Sequence, residues 1–257
     1  MSMRAAPVLM ALLLISLLSA CATRSPVRAD AAWQDARQLV LVSVADWNAD
    51  HGTLQRFERG ADARWRPVGE AVPVTVGRSG TGWGTGLHPA QSDGPQKREG
   101  DGRAPAGVFA LGTAFGYADR VATAMPYVAM EAQDWCIDVS ASPLYNRIVD
   151  TREVGEAAIA GSTEPMRRDI HVDGDQRYKL GLTIGHNPRN VAAGGSCIFA
   201  HLWQAPGVAT AGCTAMAEPA MQALLQWLQP LAKPVFVLLP QAQWRRLAAD
   251  WQLPAVH

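Results

Sequence analysis

The chain lacks an excess of charge of either sign: 23 Lys and Arg stand against 23 Asp and Glu. It also lacks a basic run, so nothing in it recruits a phosphate backbone and no nucleic-acid partner is expected. It lacks a comfortable membrane span. The apolar stretch 8–18 is about the length of a signal-peptide core and too short to cross a bilayer easily. No repeat or low-complexity segment is present, which excludes repeat architectures. Spaced metal-ligand sets are missing too. His171, His186 and His201 share no helical face, so neither a metal nor another cofactor is expected. The glycine run between Gly77 and Gly86 is followed by no Lys-Ser/Thr and no amphipathic helix; it reads as a turn or loop beside a site, not as a phosphate loop. Cysteine is scarce, with four residues.

What is present begins with a targeting signal. Arg4 precedes the apolar stretch, which ends in Leu18-Ser19-Ala20-Cys21. Leu, a small residue, Ala, then Cys is the lipobox pattern of bacterial lipoproteins, where the Cys becomes the lipidated first residue of the mature chain. Residues 1–20 therefore read as a signal peptide, Cys21 as the lipidation site, 21–35 as a polar tether and 36–257 as one folded domain. Ala22 after Cys21 resembles lipoproteins bound for the outer membrane of Gram-negative cells. That places the domain on the periplasmic face of the envelope, anchored by lipid; plain secretion with cleavage near Ala20 or Ala22 is the alternative.

With 48% apolar residues, the domain is long enough for a substantial core. Strands are predicted at 39–44, 53–58, 64–68, 73–76, 108–111, 178–185, 198–201 and 235–239. After Glu218-Pro219, the residues Met221, Leu224, Leu225 and Leu228 recur at helical spacing, and Pro230 and Pro234 stop the helix. A second short helix is predicted over 241–251. Short strands dominate, so the expected fold is mainly β, a sandwich or barrel with a few peripheral helices. The nine Trp are scattered and read as core or groove-lining residues.

The chemistry concentrates in Gly195-Ser196-Cys197-Ile198-Phe199-Ala200-His201 and Thr210-Ala211-Gly212-Cys213-Thr214. A thiolate is the nucleophilic form of Cys, and an imidazole can take the thiol proton and return it to a leaving amine. Cys213 and His201 are thus candidate nucleophile and base. Cys213 follows a Gly and precedes a helix start, where positive charge would favour thiolate if the loop folds close to it. Backbone N–H groups near Gly212 and Cys213 are candidate oxyanion donors. The competing reading makes Cys213 a small buried hydrophobe.

These residues carry a resemblance. Val76-Gly77-Arg78-Ser79-Gly80, Gly100-Asp101-Gly102-Arg103-Ala104-Pro105-Ala106-Gly107-Val108-Phe109, Asp134-Trp135-Cys136-Ile137-Asp138, Tyr145-Asn146 and the His201 and Cys213 blocks appear in the order of the L,D-transpeptidase catalytic domain family (YkuD-type). The chain resembles its branch with Gly-Ser-x-Ile-Phe-x-His and Thr-Ala-Gly-Cys. The resemblance implies a mostly β fold, Cys213 as nucleophile, His201 as base and peptidoglycan stem peptides as substrate. In the family the Cys attacks the L-centre carbonyl of diaminopimelate, expels D-Ala and passes the acyl group to an amine or to water. Ala211 and Ala215 stand where the broad pattern has His and, often, Arg.

Around that pair, Gly212 and Thr210 are expected to shape the loop, with Thr210 or a backbone carbonyl orienting His201. Ser196, Gly195 and His186 are candidate substrate contacts; packing is the alternative for each. With Cys21 lipidated and Cys213 free, Cys136 and Cys197 form an even remainder in an oxidising compartment and are expected to bridge. Separate thiols, or pairing of either with Cys213, are the alternatives. Three functions stay open: transpeptidase, carboxypeptidase or endopeptidase hydrolysing the same acyl-enzyme, and peptidoglycan-binding lipoprotein without turnover. A monomer is expected.

Overall fold

The computed structural model describes residues 32–255; the signal peptide, Cys21 and most of the tether lie outside them. Strand β1 (Gln38–Val44) is a run of β-branched and leucine side chains buried on both faces. It pairs antiparallel with β2 (His51–Arg59), which pairs with β3 (Trp65–Thr75). The strands expected at 64–68 and 73–76 are one strand, running on through a register shift opposite Leu54 and Arg56. Pro67 and Pro73 cannot donate to a second ladder. They are tolerated because the other edge of β3 is paired only at Thr75.

β4 (Thr81–Trp83) lies inside the glycine run that reads as loop, and it pairs with β5 (Ala104–Gly116). β5 is much longer than the expected 108–111, because Ala104, Ala106, Val108 and Phe109 are all buried and the loop at 101–107 already extends into the sheet. β6 (Tyr127–Ala129) joins β5 from the side. A small second sheet follows, with β7 (Asp134–Cys136) between β8 (Ile148–Asp150) and β9 (Glu164–Pro165). One-turn helices α1 (Thr151–Val154) and α2 (Arg168–His171) flank it. No strand was expected at β6, β8 or β9, whose two or three residues are too few to show alternation.

β10 (Leu180–Ile184), β11 (Phe199–Leu202) and β12 (Thr214–Met216) return to the main sheet. α3 (Glu218–Trp227) buries Met221, Leu224 and Leu225, and β13 (Val235–Pro240) is wholly buried. α4 (Gln241–Leu247) packs on β13 and β1; it stops short of the expected 251, and Trp251 turns back into the core. The order β5-β10-β11-β12-β3-β2-β1-β13, with β13 pairing β5 again, closes a barrel. Closure covers most strand edges; the side of β3 that faces away from β2 is paired only at Thr75. Phe109, Phe236 and Leu41 fill the core, each stabilising the fold by roughly 1.5–3 kcal/mol. The fold is mainly β with peripheral helices, as the strand pattern predicts.

Candidate active site

β11 and β12 are parallel neighbours, with Ala200 opposite Thr214, His201 opposite Ala215 and Leu202 opposite Met216. Cys213 stands one residue before β12. Carried back by strand alternation, it falls on the same side of the sheet as His201. The Tyr178 ring packs edge-on against His201 at 5.3 Å and belongs to the apolar cluster around Cys213. Strand pairing thus sets the two candidate catalytic residues on one side of the sheet with Tyr178 as a shared neighbour, although His201 does not line the cleft that Cys213 lines.

They do not hydrogen-bond each other. The Cys213 thiol donates to the Cys197 carbonyl at 3.4 Å and accepts the Phe199 N–H at 3.4 Å. His201 Nδ1 lies 2.7 Å from the Leu202 carbonyl. A carbonyl only accepts, so Nδ1 carries the proton and Nε2 keeps a lone pair. Among the described residues Nε2 has no hydrogen-bond partner. A backbone carbonyl therefore orients His201, and Thr210 does not.

Burial sets the resting charges. It pushes the Cys213 thiol up to about 12, with the nearby Glu164 carboxylate adding to the effect. It pushes His201 down to about 4, against the Leu202 carbonyl bond, which favours the cation. At neutral pH this is a thiol beside a neutral imidazole. The helix-dipole expectation fails for a geometric reason: β12 separates Cys213 from the start of α3, and the effect dies within a turn.

Thr210 shapes the nucleophile loop. Its Oγ1 accepts the Gly212 N–H at 3.1 Å and donates to the Cys213 carbonyl at 2.7 Å. The Gly212 N–H is therefore spent and is not an oxyanion donor. The Cys213 N–H takes part in no backbone loop bond among the described residues and remains a candidate donor. Behind the loop, Gly77 bridges Thr210. A side chain at Gly77 would meet the Gly102 carbonyl at 2.3 Å, so two backbones touch there.

Cys213 lines a cleft of about 170 Å³ with Arg78, Lys97, Glu99, Asp138, Glu164 and Ser196. Of the cleft residues, the sequence offers Cys213, Gly212 and Ser196 as site candidates and Cys197 for the disulfide, while Arg78 and Asp138 stand in the motif blocks without an assigned role. Asp138 and Glu164 arrive from the small second sheet and its flank and Glu99 from the loop before β5, a meeting of segments that no local pattern announces. A larger cavity, about 760 Å³, lies across Cys197 and Ile198 and does not include Cys213. His186 lines that cavity, not the Cys213 cleft. Its Nδ1 accepts the Thr85 N–H at 3.3 Å and its Nε2 faces the Gly194 carbonyl at 2.9 Å. Burial lowers it to about 4. Gly195, at φ +97, leaves only 2.9 Å between the place of a Cβ and His186 Nε2. Neither lines the Cys213 cleft. Ser196 reaches the cleft, but its hydroxyl is bonded to Glu99 at 2.6 Å. Glu99 also accepts the Tyr145 hydroxyl.

Cys136 and Cys197 are joined by a disulfide, and Cys213 is the one free thiol among the described residues. The bridge ties β7 to the chain entering β11. There Cys197 holds a left-handed φ of +54 and donates its N–H to Asn146 at 3.0 Å. That kink delays β11 to Phe199, one residue later than expected. Set against protein-family models, curated proteins and solved structures, the chain matches none of them.

Proposed function

We propose that this chain is a cysteine-dependent acyltransferase of the bacterial cell wall, an L,D-transpeptidase acting on peptidoglycan stem peptides. The observation that carries the reading is one free thiol in a polar cleft, on the same side of a sheet as a His whose Nδ1 is anchored and whose Nε2 is free. The motif resemblance supplies the substrate class.

In this reading the Cys213 sulfur attacks the diaminopimelate carbonyl while His201 Nε2 takes the thiol proton. Because thiol and imidazole both rest neutral, proton transfer accompanies attack and no stored thiolate precedes it. The Cys213 N–H faces the developing oxyanion. Collapse breaks the C–N bond, and the imidazolium returns its proton to the departing D-Ala amine. A thioester remains. An acceptor amine attacks it, gives its proton to His201 and re-forms the peptide bond with the thiol restored. Water in place of the amine makes the same site a carboxypeptidase or endopeptidase. Cys21 anchors the domain to the membrane through lipid on the periplasmic side.

Mass spectrometry of muropeptides after incubation with stem tetrapeptides tests the reading. Wild-type protein is expected to yield cross-linked dimers through a thioester on Cys213. Cys213→Ala is expected to yield neither, since losing a nucleophile removes many powers of ten in rate. Tripeptide alone would make the enzyme a hydrolase. Unchanged turnover in Cys213→Ala would exclude the mechanism.

A further inference from the structure

We propose that Arg78 determines specificity in the Cys213 cleft by pairing with a free carboxylate on the residue that leaves, so that the site acts on chain ends. This deepens the acyl-transfer reading and rests on it. The cleft's other charged groups are already committed. Lys97 pairs with Asp101 at 2.6 Å. Asp138 accepts the Ser162 hydroxyl at 2.8 Å and the Thr163 N–H at 3.0 Å. Glu164 accepts the Tyr178 hydroxyl at 2.7 Å and faces Arg168 at 3.5 Å. Glu99 accepts Ser196 and Tyr145.

Arg78 differs from all of them. Its side chain is exposed, and among the described residues no acid pairs with it. It is nevertheless positioned. Its backbone N–H donates to the Thr210 carbonyl at 2.8 Å, one residue from the turn that holds Cys213. Its side chain lies along the bare backbone of Gly102, where a Cβ would stand 3.3 Å from both Arg78 Cγ and Nε. A guanidinium so placed offers a planar fork to a carboxylate. The cleft's volume, about 170 Å³, suits one small residue beyond the attacked carbonyl. A chain end puts its carboxylate about 4 Å further along, one residue's reach, where an internal bond presents a neutral amide.

The test uses the full chain as Cys213→Ser, which binds without turnover, and calorimetry at low salt. The ligands are a stem tetrapeptide ending in a free D-Ala carboxylate and the same peptide as its C-terminal amide. The acid is expected to bind at least about tenfold tighter than the amide, the scale of one charge-assisted contact at a partly exposed site. Adding Arg78→Gln is expected to equalise the two, and Arg78→Lys to restore part of the difference. Equal affinities in Cys213→Ser, binding of neither peptide, or a preference that survives Arg78→Gln would each overturn the proposal. If the preference follows Arg78 but wild-type protein forms no thioester, the carboxylate site stands and acyl transfer falls. If wild-type protein turns over acid and amide equally well, acyl transfer stands and Arg78 falls.

Discussion

Cys213 rests as a buried thiol whose two hydrogen bonds both go to backbone. Its chemistry is therefore governed by desolvation. An exposed cysteine reaches its full alkylation rate near its ordinary ionisation, but Cys213, pushed up to about 12, keeps accelerating. The iodoacetamide rate at Cys213, followed by mass spectrometry, is expected to rise through pH 9 and beyond. A plateau near pH 7 would mean a stored thiolate and a different mechanism. Thr210 is the next residue to probe. Thr210→Val keeps the shape and removes both bonds of the loop. We expect turnover to fall by ten- to a hundredfold, with folding stability reduced by about 1–3 kcal/mol from the unpaired Gly212 N–H.

At the scale of elements, the site sits where the barrel is least tied together. β12 meets β3 through one residue pair, Ala215 with Thr75, while β2 and β3 share a long ladder. The disulfide strengthens the neighbouring element by fastening the small sheet to the chain entering β11. Closing its 61-residue separation is worth about 4 kcal/mol in the chain-entropy picture. Cys136→Ser with Cys197→Ser is expected to lose about that much in urea unfolding. Thiol counting on denatured protein lacking Cys21 is expected to give one free thiol, mapped to Cys213; three would remove the bridge from the account.

For the whole molecule, acid is the weak side. Burial holds His201 and His186 at about 4, against about 6.5 unfolded. Below pH 6.5 the unfolded chain therefore binds more protons than the folded one. Stability is lost as pH falls from about 6.5 to 4, by about 3 kcal/mol for each His at most, and this loss stops below 4. Urea midpoints at pH 7 and 4.5 are expected to show it, and His186→Gln is expected to shrink the difference. An unchanged midpoint would mean that the histidines charge within the fold. The anchor belongs to this scale as well. Cys21→Ala is expected to release the protein from membranes, since dual acylation supplies stable attachment; palmitate labelling that survives the substitution would contradict the lipobox reading.

By itself the sequence determined the fold class, because alternating and continuous apolar runs fall due wherever a strand must bury its faces, as at β1 and β13. It also singled out Cys213 and His201, whose residue types are uncommon and chemically distinctive, and it left Cys136 and Cys197 as the even pair. Tertiary structure decided the rest. Barrel closure depends on pairings such as β5 with β13 that join residues more than a hundred positions apart. The raised thiol and lowered imidazole come from burial, which is a property of the packed neighbourhood and not of the Gly-Cys motif. His186 and Gly195 stand close to the motif in the chain but do not line the Cys213 cleft in the fold, where both ring nitrogens of His186 face backbone groups. Lys97, Glu99 and Glu164 are ordinary surface-type residues, and Arg78 and Asp138 stand in motif blocks with no assigned role, until separate segments meet at the Cys213 cleft; long-range contacts of that kind leave no local pattern to read.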